Sequence, residues 1–416
     1  MYDLTAPTNV EYAGLAHPAA SQSCPGSACL NDFVVQSDGS RSQGTAAQWV
    51  SINPPGLSLD FNNPQNNYGF NTLVADPAVA GTIYMGTNYQ GIFKSTDGGA
   101  TWVKLDTGPG SDMIDGGRIW ALALDRYDQL TLYAASGYGS GGPLKSTDGG
   151  VSWANTLPTG SGVGQQIGTN DIYNVAVDPY TPGHLLASFH SFWHSSQDSG
   201  VVESLDGGST WRIHNPPAGS GWGAGNSVWF LDNSQTWLLG SQNGGLWRTT
   251  DAGQSWQHVS STNIGHGGIY ALYRDPVSGA LVIATWNGML RSGDDGVTWQ
   301  SFNTGLPYAG YDTVFGDGTH LYTAPSFPDG GDNPQAHGPW FTVPETGGTW
   351  TPYSTQTPCN NNICNGPVQM AIDPQGTIYS VNWHAGAWKL ATGVPQAVVA
   401  PPEASPIPTV TPTPDT

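Results

Sequence analysis

The chain of 416 residues carries 11 basic and 31 acidic side chains, which gives a formal net charge of −20 at pH 7. This balance argues against nucleic acid as a partner, because phosphate binding needs basic surface that displaces counterions. It argues equally against an anionic membrane surface, and no apolar run reaches the length of about 18 residues that spans a bilayer. The 57 glycines and 17 tryptophans are typical of an all-β protein rich in turns.

Residues 1–43 precede the first regular pattern and are predicted to form an irregular segment. They contain Cys24 and Cys29, and Cys359 and Cys364 form a second pair with the same spacing. Metal sites favour shorter spacing and grouped ligands, so the cysteines predict two small disulfide loops and an oxidising compartment. We therefore expect a secreted or cell-surface protein. No basic stretch followed by an apolar one opens the chain, so either a signal peptide is absent from this sequence or export uses another route.

An eight-residue phrase that ends in tryptophan recurs along the chain. The first copy, at 95–102, reads Ser-Thr-Asp-Gly-Gly-Ala-Thr-Trp. A degenerate copy at 343–350 has Glu345 in place of the aspartate. The final tryptophans lie 43 to 58 residues apart. This is the length of one four-stranded blade with its loops. The other four copies lie at 146–153, 204–211, 249–256 and 292–299.

Each copy has the chemistry of a tight turn. An aspartate followed by glycine favours a hairpin, because the carboxylate accepts backbone N–H groups and glycine supplies a positive φ. The tryptophan then packs against the sheet and fixes the turn. We therefore predict a structural and not a catalytic role for Asp97, Asp148, Asp206, Asp251 and Asp294.

The predicted strands group into seven blades. The seventh pattern, at 367–390, supplies only three strands, whereas residues 49–52 have the same phase as the outer strand at 102–105. An N-terminal strand that completes the last blade would close the ring and remove its exposed edges. The sequence thus predicts an all-β, seven-bladed β-propeller over 44–393, with the last blade closed by an N-terminal strand. The seven inner strands end at Asp76, Asp125, Asp178, Asp232, Asp275, Asp317 and Asp373.

Residues 394–416 are rich in proline and threonine and are predicted to form an extended, disordered linker. Such linkers join catalytic domains to binding modules or to a cell surface, so we expect that a further C-terminal module once followed. The propeller itself is expected to be a monomer.

The pattern S/T-x-D-x-G-x-S/T-W resembles the Asp-box, or BNR repeat, of sialidase-like β-propellers over roughly residues 49–390. The resemblance implies that these turns join the third and fourth strands of each blade, on the face away from the binding site. Function is then expected on the opposite rim, where the predicted loops are long and rich in glycine and aromatic residues.

The side chains expected at that rim are mostly aromatic or polar. Exposed aromatic rings stack on the C–H faces of sugars, and neighbouring polar groups bond sugar hydroxyls, so the mixture predicts a carbohydrate ligand. The candidate substrate-binding residues are Tyr89, Tyr138, Trp193, Asn226, His266, Tyr270, Trp286 and Trp383.

A glycoside hydrolase is the first activity that fits these residues. It needs two carboxylates on either side of the scissile bond. Asp171 and Asp312 are the predicted pair, with Asp115 as the substitute.

Two alternatives stay open. A polysaccharide lyase needs a base and a cation that neutralises a uronate, which Arg118 with His190 or His384 would supply. A non-catalytic glycan- or protein-binding propeller needs only the aromatic and polar groups. No cofactor and no metal ligands are predicted, and a structural Ca²⁺ held by rim acids is left open.

Among the families with this repeat, the sequence most resembles the xyloglucan-active endoglucanases, which are built from two such propellers. Their first blade carries a phrase like Y-x-x-T-D-x-G-G-x-Y-R with a catalytic Asp. Residues 84–94 of this chain read Y-M-G-T-N-Y-Q-G-I-F-K, so Asn88 stands where the acid should be. The second propeller is missing as well, so the resemblance implies carbohydrate activity without that catalytic acid. Sialidases match less well, because their arginine triad and Arg-Ile-Pro phrase are missing. Sortilin-like receptors and photosystem assembly factors also resemble the repeat and are not enzymes.

Overall fold

Seven four-stranded antiparallel sheets, each one blade of a β-propeller, make up most of the computed structural model. A short hairpin of β1 (Val34–Val35) and β2 (Arg41–Ser42) lies within the segment predicted to be irregular. The structure describes residues 34–35, 41–42, 49–59, 69–138, 141–194, 196, 198–265, 268–307, 310–311, 313–325, 340–353, 369–382 and 386–390. All four cysteines and the Pro/Thr-rich tail predicted as a linker lie outside the described residues.

Each blade runs in chain order from an inner to an outer strand. Blade 1 consists of β4 (Phe70–Ala75), β5 (Ile83–Thr87), β6 (Ile92–Ser95) and β7 (Val103–Lys104). Blade 2 consists of β8 (Arg118–Leu124), β9 (Leu132–Gly137), β10 (Gly142–Ser146) and β11 (Ala154–Asn155). Blade 3 consists of β12 (Ile172–Val177), β13 (Leu185–Phe189), β14 (Val201–Ser204) and β15 (Arg212–His214). Blade 4 consists of β16 (Ser227–Phe230), β17 (Trp237–Ser241), β18 (Gly245–Thr249) and β19 (Gln257–Ser260).

The remaining blades follow the same order. Blade 5 consists of β20 (Ile269–Arg274), β21 (Leu281–Thr285), β22 (Gly288–Ser292) and β23 (Gln300–Ser301). Blade 6 consists of β24 (Phe315–Gly316), β25 (His320–Thr323), β26 (Trp340–Pro344) and β27 (Thr351–Tyr353). Blade 7 consists of β28 (Gln369–Ile372), β29 (Ile378–Asn382), β30 (Gly386–Leu390) and β3 (Trp49–Ser51). Two short helices, α1 (Ser111–Asp115) and α2 (Gly162–Ile167), precede the inner strands of blades 2 and 3.

The predicted ring closure is confirmed. Strand β3 pairs with β30 in the register Trp49 opposite Leu390 and Ser51 opposite Trp388. Ile52 then packs in the core that blade 7 shares with blade 1, and its carbonyl accepts the indole N–H of Trp102 at 2.8 Å. The outer edge of the last blade is therefore covered by the chain's own N-terminal strand.

The repeated phrase forms a self-contained turn, which we call the box turn. In blade 1, Asp97 accepts the hydroxyl of Ser95 at 2.8 Å and both the backbone N–H and the hydroxyl of Thr101, at 2.8 and 2.6 Å. These hydrogen bonds from Thr101 and Ser95 lower the pKa of Asp97 to about 2. The same bonds recur at Asp148, Asp206, Asp251 and Asp294, which confirms the structural role predicted for the five aspartates.

Adjacent blades are joined by basic side chains that reach from one blade's third strand to a carbonyl of the next box turn. Lys145 donates to Gly207 at 2.8 Å, and Lys389 of blade 7 donates to Gly98 of blade 1 at 2.8 Å. Four of the chain's 11 basic residues make such a contact between blades. The other two such contacts are Arg248 to Asp295 at 2.8 Å and Arg291 to Glu345 at 2.7 Å.

In the third strand of blade 3, Glu203 takes the place of the basic residue, and blade 3 joins blade 4 through other side chains. The carboxylate of Glu203 is bonded by Arg212 at 2.5 Å and by His214 at 2.6 Å. The other ring nitrogen of His214 contacts the carbonyl of Gly253 in the next box turn at 3.2 Å. His184 lies 3.0 Å from the same carboxylate and 2.6 Å from Asp178, so the buried acid is surrounded by cations and donors.

Candidate functional site at the rim between blades 2 and 3

Bulges interrupt four inner strands near their start, at the level of the rim. In β4, β8, β12 and β20 the ladder skips one residue, so that residue lies outside the regular pairing. A bulge bends the strand and redirects the extra side chain, which is why bulges cluster beside functional sites. The residues that the four ladders skip are Asn71, Trp120, Tyr173 and Tyr270.

Aromatic rings from blades 2 and 3 meet at this level of the rim. Trp120 lies 4.9 Å from Tyr173 and 5.6 Å from the imidazole of His190, measured between ring centroids. His190 in turn lies 4.9 Å from Tyr138 in an edge-on arrangement. Trp120 and Tyr173 are buried, whereas Tyr138 is 52% exposed, so the cluster has an aromatic floor and one ring open to solvent.

Asp171 lies directly before β12 and holds His190 in place. One carboxylate oxygen accepts the Nδ1 of His190 at 3.0 Å and the hydroxyl of Ser191 at 2.5 Å, and the other accepts the backbone N–H of Tyr138 at 3.2 Å. Burial by itself would raise the pKa of Asp171, but the hydrogen bonds from His190 and Ser191 outweigh it and lower that pKa. Asp171 is therefore ionised at neutral pH, and both of its oxygens accept hydrogen bonds.

These bonds assign the direction of a proton relay that runs from Asp171 through His190 to Tyr138. An ionised carboxylate can only accept, so Nδ1 of His190 carries a proton and donates it to Asp171. In the neutral imidazole Nε2 is then left as an acceptor. The hydroxyl of Tyr138 lies 3.1 Å from Nε2 and donates to it. Burial and the charge of Asp171 raise the pKa of Tyr138, so its phenol keeps its proton at neutral pH. We call these three residues the Asp–His–Tyr relay.

Arg118 and Tyr89 flank the relay. The guanidinium carbon of Arg118 lies 4.9 Å from the ring centroid of Tyr138, a cation–π distance. Tyr89 and Tyr138 adopt φ values of 58° and 55°, in the left-handed region that a non-glycine residue adopts at some cost. The backbone of Asn88 bridges that of Arg118, and its buried side chain accepts the amide of Asn71. The amide that replaces the expected acid is thus part of the wall beside the relay.

Asp115 lies apart from this arrangement, at the end of α1. Both of its carboxylate oxygens are bonded by Lys104 of β7, at 2.8 and 2.9 Å, and Lys104 also lies 3.2 Å from Asp106. Burial raises the pKa of Asp106 to about 6. The lysine thus ties α1 to the outer strand of blade 1, and the predicted substitute carboxylate is occupied by this contact.

Three of the predicted sugar contacts are buried, Trp193, Asn226 and Tyr270. Trp193 is only 8% exposed and packs edge-on against Phe189 with 5.3 Å between centroids, because its loop folds back onto blade 3. Asn226 is fully buried, and its amide donates to the carbonyl of Ser199 at 2.9 Å, so it holds a loop instead of facing a ligand.

The other candidates fall in two groups. Trp286 lies in blade 5 beside the buried Tyr270, with centroids 6.2 Å apart. The remaining four, Asp312, His266, Trp383 and His384, lie outside the described residues.

Sequence reasoning missed Trp120, Tyr173 and Ser191, which complete the cluster. The sequence held a signal for the first two. In three of the inner strands an aromatic residue follows an isoleucine near the start, in Arg118-Ile119-Trp120, Asp171-Ile172-Tyr173 and Ile269-Tyr270. Phe192, next to Ser191, is 49% exposed and adds a second open ring in the same loop. Within the described residues, no group of three or more His, Cys, Asp or Glu side chains is placed to hold a metal ion.

No protein-family model matches the chain. It is 29% identical over 198 residues to a xyloglucanase from Paenibacillus sp, covering 41% of this chain and 18% of that protein. It is 25% identical over 200 residues to a probable oligoxyloglucan-reducing end-specific xyloglucanase from Neosartorya fischeri, covering 45% and 23%. The chain thus spans about a fifth of the length of these two curated relatives.

Solved structures share the fold. The GH74 enzyme of Niastella koreensis superimposes with a TM-score of 0.59 at 20% identity, over 78% of this chain and 52% of that one. YCF48 bound to D1 peptide gives a TM-score of 0.53 at 13% identity, over 82% and 96%. At these identities the likeness shows a β-propeller. In the described part of the chain, no helix is long and apolar enough to cross a membrane.

Proposed function

We propose that the protein is a carbohydrate-active propeller of the glycoside hydrolase kind, which binds and cleaves a polysaccharide or its oligosaccharides at the rim between blades 2 and 3. The observation that carries the proposal is the Asp–His–Tyr relay, which joins an ordered proton path to an aromatic surface. The two curated relatives, both named for xyloglucan, support a plant-type glycan as the substrate.

The surroundings of the relay favour a neutral sugar chain. Tyr138 offers an open ring for stacking, Phe192 in the loop between β13 and β14 offers a second, and the relay itself supplies hydrogen-bonding groups. The net charge of −20 produces a negative potential that disfavours the approach of polyanions. Neutral β-glucans and xyloglucan are therefore the first substrates to test.

For hydrolysis, the relay needs a partner group on the other side of the scissile bond. We propose Asp312 for this role, because it was predicted at the entrance of the inner strand of blade 6 and two carboxylates are the usual requirement. Asp171 then acts as a positioning residue for His190, since its own oxygens are already occupied.

A second candidate function, β-elimination on a uronate, is favoured by the position of Arg118. Its guanidinium lies 4.9 Å from the ring of Tyr138, which bonds His190. In such a reaction His190 would take the proton at C5, the C4–O bond would break, and Tyr138 would protonate the leaving oxygen, with Arg118 neutralising the carboxylate.

The finer features follow from the same proposal. We propose that the chain belongs to the Asp-box propellers, is exported with its two cysteine pairs as disulfides, and acts as a monomer without a cofactor. The Pro/Thr-rich residues 394–416 would connect it to a further module or a cell surface.

The proposal is tested by incubating the protein with a panel of neutral and uronate-containing polysaccharides. New reducing ends are measured together with the ultraviolet absorbance of unsaturated uronates. Reducing ends without absorbance establish hydrolysis, and both signals together establish elimination. Retained glycan binding without either signal would make the protein a recognition module. The absence of binding and cleavage across the panel would contradict the proposal.

The variant His190→Asn connects the activity to the relay. It is expected to abolish cleavage, whereas the matched control His258→Asn, which changes an exposed histidine on the outer strand of blade 4, is expected to leave cleavage unchanged.

A further inference from the structure

Within the described residues, four residues other than glycine have a positive φ, and they form two pairs. Ala252 and Asp295, with φ values of 54° and 55°, occupy the fourth position of their box turns, where blades 1 to 3 have glycine in the same conformation. The box turn therefore explains this pair. Tyr89 and Tyr138, with φ values of 58° and 55°, lie instead at the rim, in the hairpins between the second and third strands of blades 1 and 2.

The hairpin that carries Tyr89 is held from several sides. The backbone N–H of Tyr89 donates to the carbonyl of Gly117, just before β8, at 3.0 Å. The side chain of Gln90 bonds both backbone groups of Ser58, accepting the N–H at 2.8 Å and donating to the carbonyl at 2.9 Å. The hydroxyl of Thr87 accepts the N–H of Gln90 at 3.1 Å. A strained backbone persists only where its surroundings determine it, and these bonds do so for Tyr89.

The ring of Tyr89, in contrast, contributes nothing that the fold requires. Within the described residues, its side chain makes no hydrogen bond and contacts no other ring, and it is partly exposed. Glycine or asparagine would adopt the same φ at a lower cost in free energy. The tyrosine at this position is therefore not explained by the hairpin that holds it.

The hairpin of Tyr89 lies beside the relay. Its Asn88 bridges the backbone of Arg118, whose guanidinium carbon lies 4.9 Å from the ring centroid of Tyr138. Burial raises the pKa of Tyr138, the charge of Asp171 raises it further, and the phenol of Tyr89 adds to the effect. The two phenols are thus within electrostatic reach of each other. Two strained tyrosines therefore lie in neighbouring hairpins, and only one of them belongs to the relay.

We propose that Tyr89 is a specificity-determining residue, whose ring stacks on the neutral sugar unit next to the one at the relay. This inference rests on the proposed function, because it extends the same glycan site from blade 2 toward blade 1. A tyrosine whose backbone is already fixed presents a large ring to a sugar at little cost in conformational entropy. Backbone strain that serves the presentation of a ring is typical of a binding site.

Two variants relieve the strain, and only one of them removes a rim ring. Tyr89→Gly removes the ring, whereas the matched control Ala252→Gly gives the box turn of blade 4 the glycine of blades 1 to 3. Glycine at a positive φ is favoured over other residues, so both variants are expected to raise the midpoint of urea unfolding. A lower midpoint for Tyr89→Gly would show that the ring supports the fold, and would overturn the inference.

Cleavage of xyloglucan by the intact protein gives the second readout. Tyr89→Gly is expected to raise KM about tenfold and to change kcat by less than about twofold, because the ring binds a unit that does not react. Tyr89→Phe keeps the ring and is expected to match the wild type, as is Ala252→Gly. An unchanged KM in Tyr89→Gly, or a raised KM in Ala252→Gly, would contradict the assignment.

Affinity electrophoresis in gels that contain xyloglucan or a neutral β-glucan separates this inference from the proposed cleavage. Retardation that is lost in Tyr89→Gly and kept in His190→Asn supports the subsite even if no cleavage is detected. Cleavage by the wild type together with equal retardation of the wild type and Tyr89→Gly overturns the subsite and leaves the proposed function standing. Absence of retardation of the wild type in both gels overturns the inference.

Discussion

At the scale of single residues, the proposed relay gives Asp171 a positioning role in place of the catalytic role that its position predicted. Acids at the entrance of an inner strand are natural candidates for catalysis. The structure shows, however, that three donors already occupy both oxygens of Asp171. Under the proposed function the His190–Tyr138 pair acts on the substrate, and Asp171 fixes the tautomer of His190.

Asp171→Asn is therefore expected to lower cleavage by about 100- to 10,000-fold while leaving glycan binding intact. The asparagine side chain has only one oxygen that can accept, so it no longer fixes the tautomer of His190 in which Nε2 accepts. Initial rates and affinity electrophoresis on the same preparation measure the two quantities. Equal losses in both would show that the residue only supports the fold.

Glu345 allows a second prediction at this scale. Burial raises the pKa of this carboxyl to about 7 from its ordinary value of 4.5. A raised pKa in the folded state means that stability is highest below pH 4.5 and is lost as pH rises toward 7. Glu345→Gln keeps the acceptor for Tyr273 and Gly318 and removes this dependence.

We expect Glu345→Gln to be more stable than the wild type by about 1–3 kcal/mol at pH 8 and nearly equal to it at pH 4.5. Urea unfolding at the two pH values measures the difference. An equal gain in stability at pH 8 and at pH 4.5 would show that the gain does not come from removing a buried charge.

At the scale of elements, blade 3 depends on a buried acid. Burial alone would raise the pKa of Glu203, but the hydrogen bonds from His184, His214 and Arg212 lower it below its ordinary value. This contribution to stability is present above pH 4.5 and is lost as pH falls through the lowered value. The pKa of His184 is raised: burial alone would lower it, but bonds to Asp178 and Glu203 outweigh this, so its contribution is lost as pH rises above about 6.5.

Glu203→Gln is expected to destabilise the protein by about 3–5 kcal/mol at pH 6, because it leaves the surrounding cations unpaired. Thermal or urea unfolding measures the loss. Arg212, on the outer strand, is half-exposed, and Arg212→Met serves as the control with an expected loss of no more than about 1 kcal/mol. Comparable losses in the two variants would contradict a special role for the buried carboxylate.

The elements also show what could be predicted from the sequence. The box turns were predictable, because Asp97 and its equivalents make only local bonds that the eight-residue phrase itself contains. The bulges at Trp120 and Tyr173 were not, since a bulge depends on the pairing of two strands and reverses which side chains face the rim. Trp193 was assigned to the rim because it lies in a long predicted loop, yet packing on Phe189 buries it.

At the scale of the whole molecule, the ring is closed twice over. Strand β3 completes blade 7, and Lys389 of blade 7 bonds the box turn of blade 1 at 2.8 Å. The sequence alone predicted that β3 completes the last blade, because residues 49–52 repeat the pattern of the outer strand at 102–105. The lysine contact joins residues 291 positions apart in the chain and could be recognised only from the structure.

Ile52→Ala tests the closure. Ile52 is 6% exposed and packs between blades 7 and 1, so the variant is expected to lose about 2–5 kcal/mol of stability. Val50→Ala, at an exposed position of the same strand, is expected to change stability by no more than about 0.5 kcal/mol. Urea unfolding compares the pair, and equal midpoints would show that the N-terminal strand contributes little to the ring.

The central claim is that glycan cleavage occurs at the relay, and a matched pair of tyrosines in blade 2 tests it most directly. Tyr138 bonds His190 at the rim, whereas Tyr127 is similarly exposed at the turn between β8 and β9, where it contacts Pro179. The measurement is the rate of reducing-end release from xyloglucan by Tyr138→Phe and Tyr127→Phe. The account predicts a loss of about 100-fold or more for Tyr138→Phe and none for Tyr127→Phe. Equal rates for the two variants would contradict it.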